Sequence, residues 1–128
     1  MNRGTFQWRI QDHAGDLRLE LRAQRSEGLF QAATAALLEV LTDPDLVIAD
    51  QDLELNLRSD DPESLLVAWL NELLFLFETR SLLVTHVDIQ LLDAGRRLEA
   101  QLRAVAYDAT LHPIKTAVKA ATHHRLKR

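Results

Sequence analysis

Two runs of this chain alternate leucine with polar residues one for one: Leu17-Arg18-Leu19-Glu20-Leu21-Arg22 and Asp52-Leu53-Glu54-Leu55-Asn56-Leu57-Arg58. A period of two puts every leucine of a run on one side of an extended chain, so each run is a half-buried strand. Such strands need a cover for their apolar side, and two segments of helical periodicity are there to supply it. Ser26 is the expected cap of the first, which runs to about Thr42. Its apolar face is Leu29, Phe30, Ala33, Ala36, Leu37, Val40 and Leu41, and Asp43-Pro44-Asp45 stops it. Asp61 followed by Pro62 opens the second, which runs to about Glu78. Leu65, Leu66, Trp69, Leu70, Leu73, Leu74 and Phe77 make it apolar around most of its circumference, so it is predicted to be the central, mostly buried helix.

Further strands are expected over Thr5–Ile10, edge-like because it ends in polar residues, and over Val84–Leu92 and Arg97–Tyr107. Asp12 to Asp16 reads as a turn, with Gly15 available for an unusual backbone angle. Asp93 to Arg96 is a second turn. Tyr107 to Lys115 reads as a loop containing His112-Pro113, and Val118 to Ala121 as a short last strand. Strands and helices do not alternate regularly, so the fold class is α+β: two helices packed on a largely antiparallel sheet. With 128 residues and no interdomain linker, residues 1–128 form one domain.

Composition excludes several function classes. A formal charge of −4 supplies no basic field for stable nucleic-acid binding, although Arg125, Lys127 and Arg128 make a local basic end. The chain has no cysteine, which removes disulfides, thiol nucleophiles and cysteine metal sites. The N-terminus has no signal-peptide core. The longest apolar stretch, Leu65 to Phe77, is interrupted by Asn71 and Glu72 and is too short to span a bilayer. The expectation is a soluble cytoplasmic protein without membrane contact.

Few residues carry chemistry. Asp12 and Asp16, four apart around a turn, suit a hard divalent cation; alternatively Asp12 caps the turn and Asp16 is solvated. His13 between them reads as structural. His123-His124 could offer one imidazole to a metal or a proton transfer, but neighbours on a strand face opposite ways, so both cannot serve one site. Lys115 and Lys119 suit an anion or a solvated face. Glu72, on an apolar helix, is functional, paired, or at the rim. No phosphate loop, paired metal histidines or Ser-His-Asp arrangement is present, so an autonomous enzyme is poorly supported.

Three segments taken in order resemble the archease family. Asp12-His13-Ala14-Gly15-Asp16-Leu17 resembles its opening strand and D-H-T-A-D. Trp69-Leu70-Asn71-Glu72-Leu73-Leu74-Phe75 resembles its middle signature, and Ile114 to His124 is similar to its late G-x-x-V-K-A-x-T-x-H. The resemblance implies an α/β sandwich built on a strand-helix-strand-strand unit. It also implies a non-catalytic accessory protein of the RtcB-type GTP-dependent RNA ligase of tRNA splicing and RNA repair, promoting guanylylation and turnover of the ligase. By the same resemblance Asp16, helped by Asp12, would hold a divalent metal such as calcium or magnesium. His13, Lys119, Thr122 and His124 would line the partner-facing surface.

The chain departs from the pattern at Ala14, Gly15 and Ile114, and the family's late aspartate has no counterpart after Asp108. The metal site is therefore expected to be weakened, because Asp16 alone falls short of the six or more oxygens Ca²⁺ takes. The shortened end is expected to leave a sheet edge bare, which a homo-oligomer would cover. The alternative function is a chaperone-like or structural interaction module that has lost the metal-dependent activation.

Overall fold

The computed structural model describes residues 5–13, 16–115 and 118, and of Asp12, His13 and Asp16 the backbone alone. The elements, in order, are β1 (Phe6–His13), β2 (Asp16–Ala23), α1 (Ser26–Leu41), β3 (Gln51–Arg58), α2 (Pro62–Arg80), β4 (Leu82–Leu92) and β5 (Arg97–Ala106). Among the described residues there are two sheets, the β1–β2 hairpin and a three-stranded sheet in the order β3-β5-β4, and every pairing is antiparallel. β3-α2-β4-β5 is a strand-helix-strand-strand unit, with β5 inserted between β3 and β4. The α+β class therefore holds, with two sheets in place of one. No helix among the described residues is long and apolar enough to cross a membrane.

In β3 the leucine alternation does what its period requires, whereas in β2 Leu17 is exposed and Arg18 and Glu20 are half-buried like Leu19 and Leu21. Leu53, Leu55 and Leu57 lie half-buried while Asp52, Glu54, Asn56 and Arg58 are exposed. Asp61 caps α2, accepting from the Ser64 amide at 2.8 Å, with Pro62 in its first turn. α1 is capped differently from expectation. Arg25 holds the cap position without a side-chain bond, its carbonyl taking the Gly28 amide at 2.9 Å, and Ser26 is already helical. The expected turn at Asp12–Asp16 is also narrower. The ladder continues through Asp12↔Leu17 to His13↔Asp16, leaving Gly15 outside the described residues. The β4–β5 connection is a tight turn through the left-handed region, with positive φ at Asp93, Ala94 and Gly95. Of the predicted last strand, Val118 is irregular and half-buried against the core, and 119–121 lie outside the described residues.

The central helix is α1, and this reverses the expectation for α2. α1 is buried on nearly all sides, with only Gln31, Glu39 and its first turn reaching solvent. One side presents Ala32, Ala35 and Ala36 to Trp8 of the hairpin, flanked by Phe6, Ile10 and Leu19. The other presents Phe30, Ala33, Leu37, Leu38 and Leu41 to a core shared with α2 and the three-stranded sheet. The small alanines let a sheet approach on the second side, a cover that a bulkier face would hold off. α2 covers one face of the three-stranded sheet and keeps an open flank, where Phe75 is 56% exposed. Trp69 ties the helices together: its ring meets Phe30 edge-on at 6.3 Å, and its Nε1 donates to Thr34 Oγ1 at 3.0 Å.

Candidate functional site

The hairpin and α1 run side by side, and that fixes which ends meet. Near the α1 N-terminus, Gly28 lies so close to the open end of the hairpin that a Cβ on it would stand 2.6 Å from the Ala23 Cβ. Further along, Trp8 Nε1 donates to Glu39 near the helix C-terminus at 2.9 Å. Sixteen helical residues rise about 24 Å, close to the length of an eight-residue strand at about 3.3 Å per residue. The C-terminus of α1 therefore reaches the tip where Asp12, His13 and Asp16 sit.

The late segment arrives at the same end. Tyr107 N donates to Ser81 O at 2.6 Å as β5 finishes. A closed turn follows, inside the segment expected to be an open loop. Asp108 Oδ1 accepts from the Thr110 hydroxyl at 2.6 Å and from its amide at 2.9 Å. The Leu111 and His112 amides return to Asp108 O at 2.9 and 2.8 Å. His112, buried, takes the Asp108 amide on Nδ1 at 3.0 Å and lies 6.1 Å from the Tyr107 ring. The Thr110 hydroxyl, then its amide, hold the Asp108 carboxyl below its ordinary range. From this turn the chain runs to Lys115, whose amide donates to Leu41 O at 2.9 Å, the end of α1. The signal for the turn was the Asp108-x-Thr110-x-His112 spacing, an Asx turn closed by a histidine acceptor.

The structure thus brings the tip bearing Asp12, His13 and Asp16 to the end of the molecule where Ile114, Lys115 and Val118 lie. Lys119, Thr122 and His124 fall outside the described residues, as do the side chains of Asp12, His13 and Asp16. Asp12 and Asp16 are not register partners; Asp12 faces Leu17, and Asp16 faces His13. Among the described residues no three acidic or histidine side chains form a metal-binding group. Carboxylates are the right chemistry for a hard cation, but the described residues do not assemble its oxygen shell. Glu72 is only half-buried, at the rim of α2. Lys115 is exposed and in irregular chain.

The same end carries features that sequence reasoning missed. Leu46 and Ile48 after α1 and Leu111 and Ile114 in the late segment are exposed, Ile48 at 79%, and Leu17 is exposed beside the tip. Thr42, directly after α1, is fully buried, and its hydroxyl has no hydrogen-bond partner among the described residues. Hydrophobic periodicity could not have found Leu46, Ile48, Leu111 or Ile114, because each stands outside a regular apolar stripe, and it assigned Leu17 to the buried side of its strand.

The model of the archease protein family matches residues 8–127. The chain belongs to the archease family. Among its relatives, the protein archease of Methanosarcina barkeri is 31% identical over 94% of this chain and 85% of its own. That of Methanopyrus kandleri is 30% identical over 94% and 87%. The solution structure of Methanobacterium thermoautotrophicum protein 1598 is similar at a TM-score of 0.62 and 25% identity, over 93% of this chain and 80% of that one. The archease match spans the hairpin, both helices and the late segment together, so the whole domain is what the family shares.

Proposed function

We propose that this archease is a non-catalytic accessory protein of an RtcB-type GTP-dependent RNA ligase, promoting guanylylation and turnover of the ligase in tRNA splicing or RNA repair. The observation that supports the reading is that the start of the late family motif docks on the C-terminus of α1, Lys115 N donating to Leu41 O at 2.9 Å, and α1 is the helix along which the opening hairpin packs. Exposed Leu17 and Ile114 within these two segments, with Leu46 and Ile48 exposed after α1, suit a protein partner, because exposed apolar side chains desolvate readily against another surface. In this reading Asp16, assisted by Asp12, holds a divalent cation, calcium or magnesium, close to the ligase. His13, Lys119, Thr122 and His124 line the facing surface. Contact is between proteins, and at a net charge of −4 no stable grip on RNA is expected.

The test is transfer of labelled guanylate from GTP to the cognate ligase, with and without this protein, and with Asp16→Ala. Stimulation that disappears in the mutant supports the activator reading and a working carboxylate at Asp16. Stimulation that survives moves the chemistry to the late segment or to docking alone. No stimulation by a folded protein favours the second reading, a chaperone-like interaction module. The observation in its favour is that Ala14 and Gly15 replace the family's threonine and alanine in the opening motif.

A further inference from the structure

The three-stranded sheet has two edges, and they differ. β4 carries a register shift between Val84 and His86, and α1 packs beside it. β3, at the other edge, is regular over eight residues, has no proline or lysine, and among the described residues pairs only with β5. Natural edge strands are usually blunted by bulges, prolines or lysines, and this one is not. Ser59 N donates to Arg96 O, its register partner, at 2.8 Å. Bonding alternates along an antiparallel strand, so Leu53, Leu55 and Leu57 spend their backbone groups on β5, and Asp52, Glu54, Asn56 and Arg58 turn theirs to the open edge.

The side chains show what would satisfy that edge. On the outer face β3 and β5 face each other as Asp52↔Arg103, Glu54↔Gln101, Asn56↔Glu99 and Arg58↔Arg97. Asp52 and Arg103 bond at 2.7 Å, and Glu54 and Gln101 at 2.8 Å. The last pair sets two cations opposite each other. Arg97 has Asp93 at 3.1 Å, whereas Arg58 has no ion pair among the described residues. On the inner face Leu53, Leu55 and Leu57 stay half-buried because the sheet ends there.

We propose that β3 pairs antiparallel with β3 of a second copy about a two-fold axis at Leu55, joining two sheets into one of six strands. This inference is independent of the ligase reading. In that register Arg58 faces the second copy's Asp52, Glu54 faces its Asn56, Leu53 faces its Leu57, and Leu55 meets itself. Every open backbone group of Asp52, Glu54, Asn56 and Arg58 finds a partner. A register centred on Glu54 would oppose Glu54 to itself, and one centred on Leu53 would oppose Asp52 to Glu54. One centred on Asn56 would pair only residues 54–58, five of the strand's eight, against the seven of the Leu55 register. Of these, only the Leu55 register pairs residues 52–58 with no like charges opposed inside the strand and the leucines on one face, Asp50 and Asp60 meeting beyond it.

The test is molar mass by sedimentation over a range of concentrations, with circular dichroism to confirm folding. Mass rising with concentration toward twice 14.5 kDa is expected. Arg58→Asp, which replaces both symmetric attractions by repulsions, should raise the dimer dissociation constant about tenfold. Glu54→Pro, which removes an amide from the open edge, should do at least as much. The double swap Asp52→Arg with Arg58→Asp, made together with Arg103→Glu so that position 52 keeps an opposite charge across from it, should restore the dimer. In this cysteine-free chain, Leu55→Cys should oxidise to a covalent dimer far faster than Leu53→Cys, because only position 55 meets its own copy. A mass of 14.5 kDa at every concentration, or a dimer indifferent to Arg58→Asp and Glu54→Pro, would overturn the proposal. Loss of the dimer in Arg58→Asp without recovery in the double swap would overturn the register.

Discussion

α1 has 16 residues and places alanine at 32, 33, 35 and 36; α2 has 19 and places leucine, tryptophan or phenylalanine at most of its inward positions. By bulk of apolar side chain α2 is the stronger candidate for the centre of the molecule, yet α1 is the helix enclosed between the hairpin and the larger sheet. Large side chains fill the space on one side of a helix and hold a second layer away. Small ones surrender buried area per residue but admit a layer on both sides, and the total enclosure is greater. The helix ends differ in the same sense. α1 finishes in extended backbone at buried Thr42, against which the late segment docks, whereas α2 finishes at exposed Ser81 in the left-handed region.

The sharpest way to break this comparison is to cut the joint between the helices. Trp69→Ala should cost about 3–5 kcal/mol, because it empties a fully buried site and frees the Thr34 hydroxyl from its indole donor. Denaturant unfolding reads this directly. Next is enlargement of the alanine face. Ala36→Leu should cost about 1–3 kcal/mol, whereas Phe75→Ala on the open flank of α2 should change stability by less than about 0.5 kcal/mol. Comparable effects at the two sites would refute the central placement of α1.

Glycine substitution separates the helix ends. On helix propensity Gly28→Ala should stabilise by up to about 1 kcal/mol. The Ala23 Cβ only 2.6 Å from the new methyl reverses the sign, and a lowered Tm is expected. Ser81→Gly, at φ 53°, should raise stability by about 0.5–1 kcal/mol. The smallest effect is that of acid on the late turn. The Asp108 carboxyl is held below its ordinary value, so its contribution is complete above the unfolded-state pKa. It is lost as pH falls through the lower folded-state one. The Tm difference between wild type and Asp108→Asn should be constant near neutrality and shrink only in the acid range.

Legibility in the sequence followed the physical signal in each element. Asp61-Pro62 announced α2 because a carboxylate cap and a proline are local chemistry. β3 was legible from its leucines. β1 was drawn three residues short, because apolar alternation stops at Ile10 while the backbone ladder, which ignores side-chain polarity, runs to His13. The centrality of α1 was not legible, since periodicity records which face is apolar and not how many layers will cover it. The Asp108–His112 turn was passed over for want of hydrophobic pattern. For the candidate site, the family segments were legible through their resemblance. The docking of the late segment on the end of α1 was not, because it is made by a backbone bond, Lys115 N to Leu41 O, that no side-chain pattern announces.

The most direct test is amide hydrogen exchange of this protein alone and mixed with the RtcB-type RNA ligase proposed as its partner. Protection on binding is expected over the hairpin tip, residues 11–18, and over 111–118, with the outer face of β4 and β5 unchanged. Protection confined to that sheet face, with the tip and late segment exchanging as in the free protein, would contradict the proposed function.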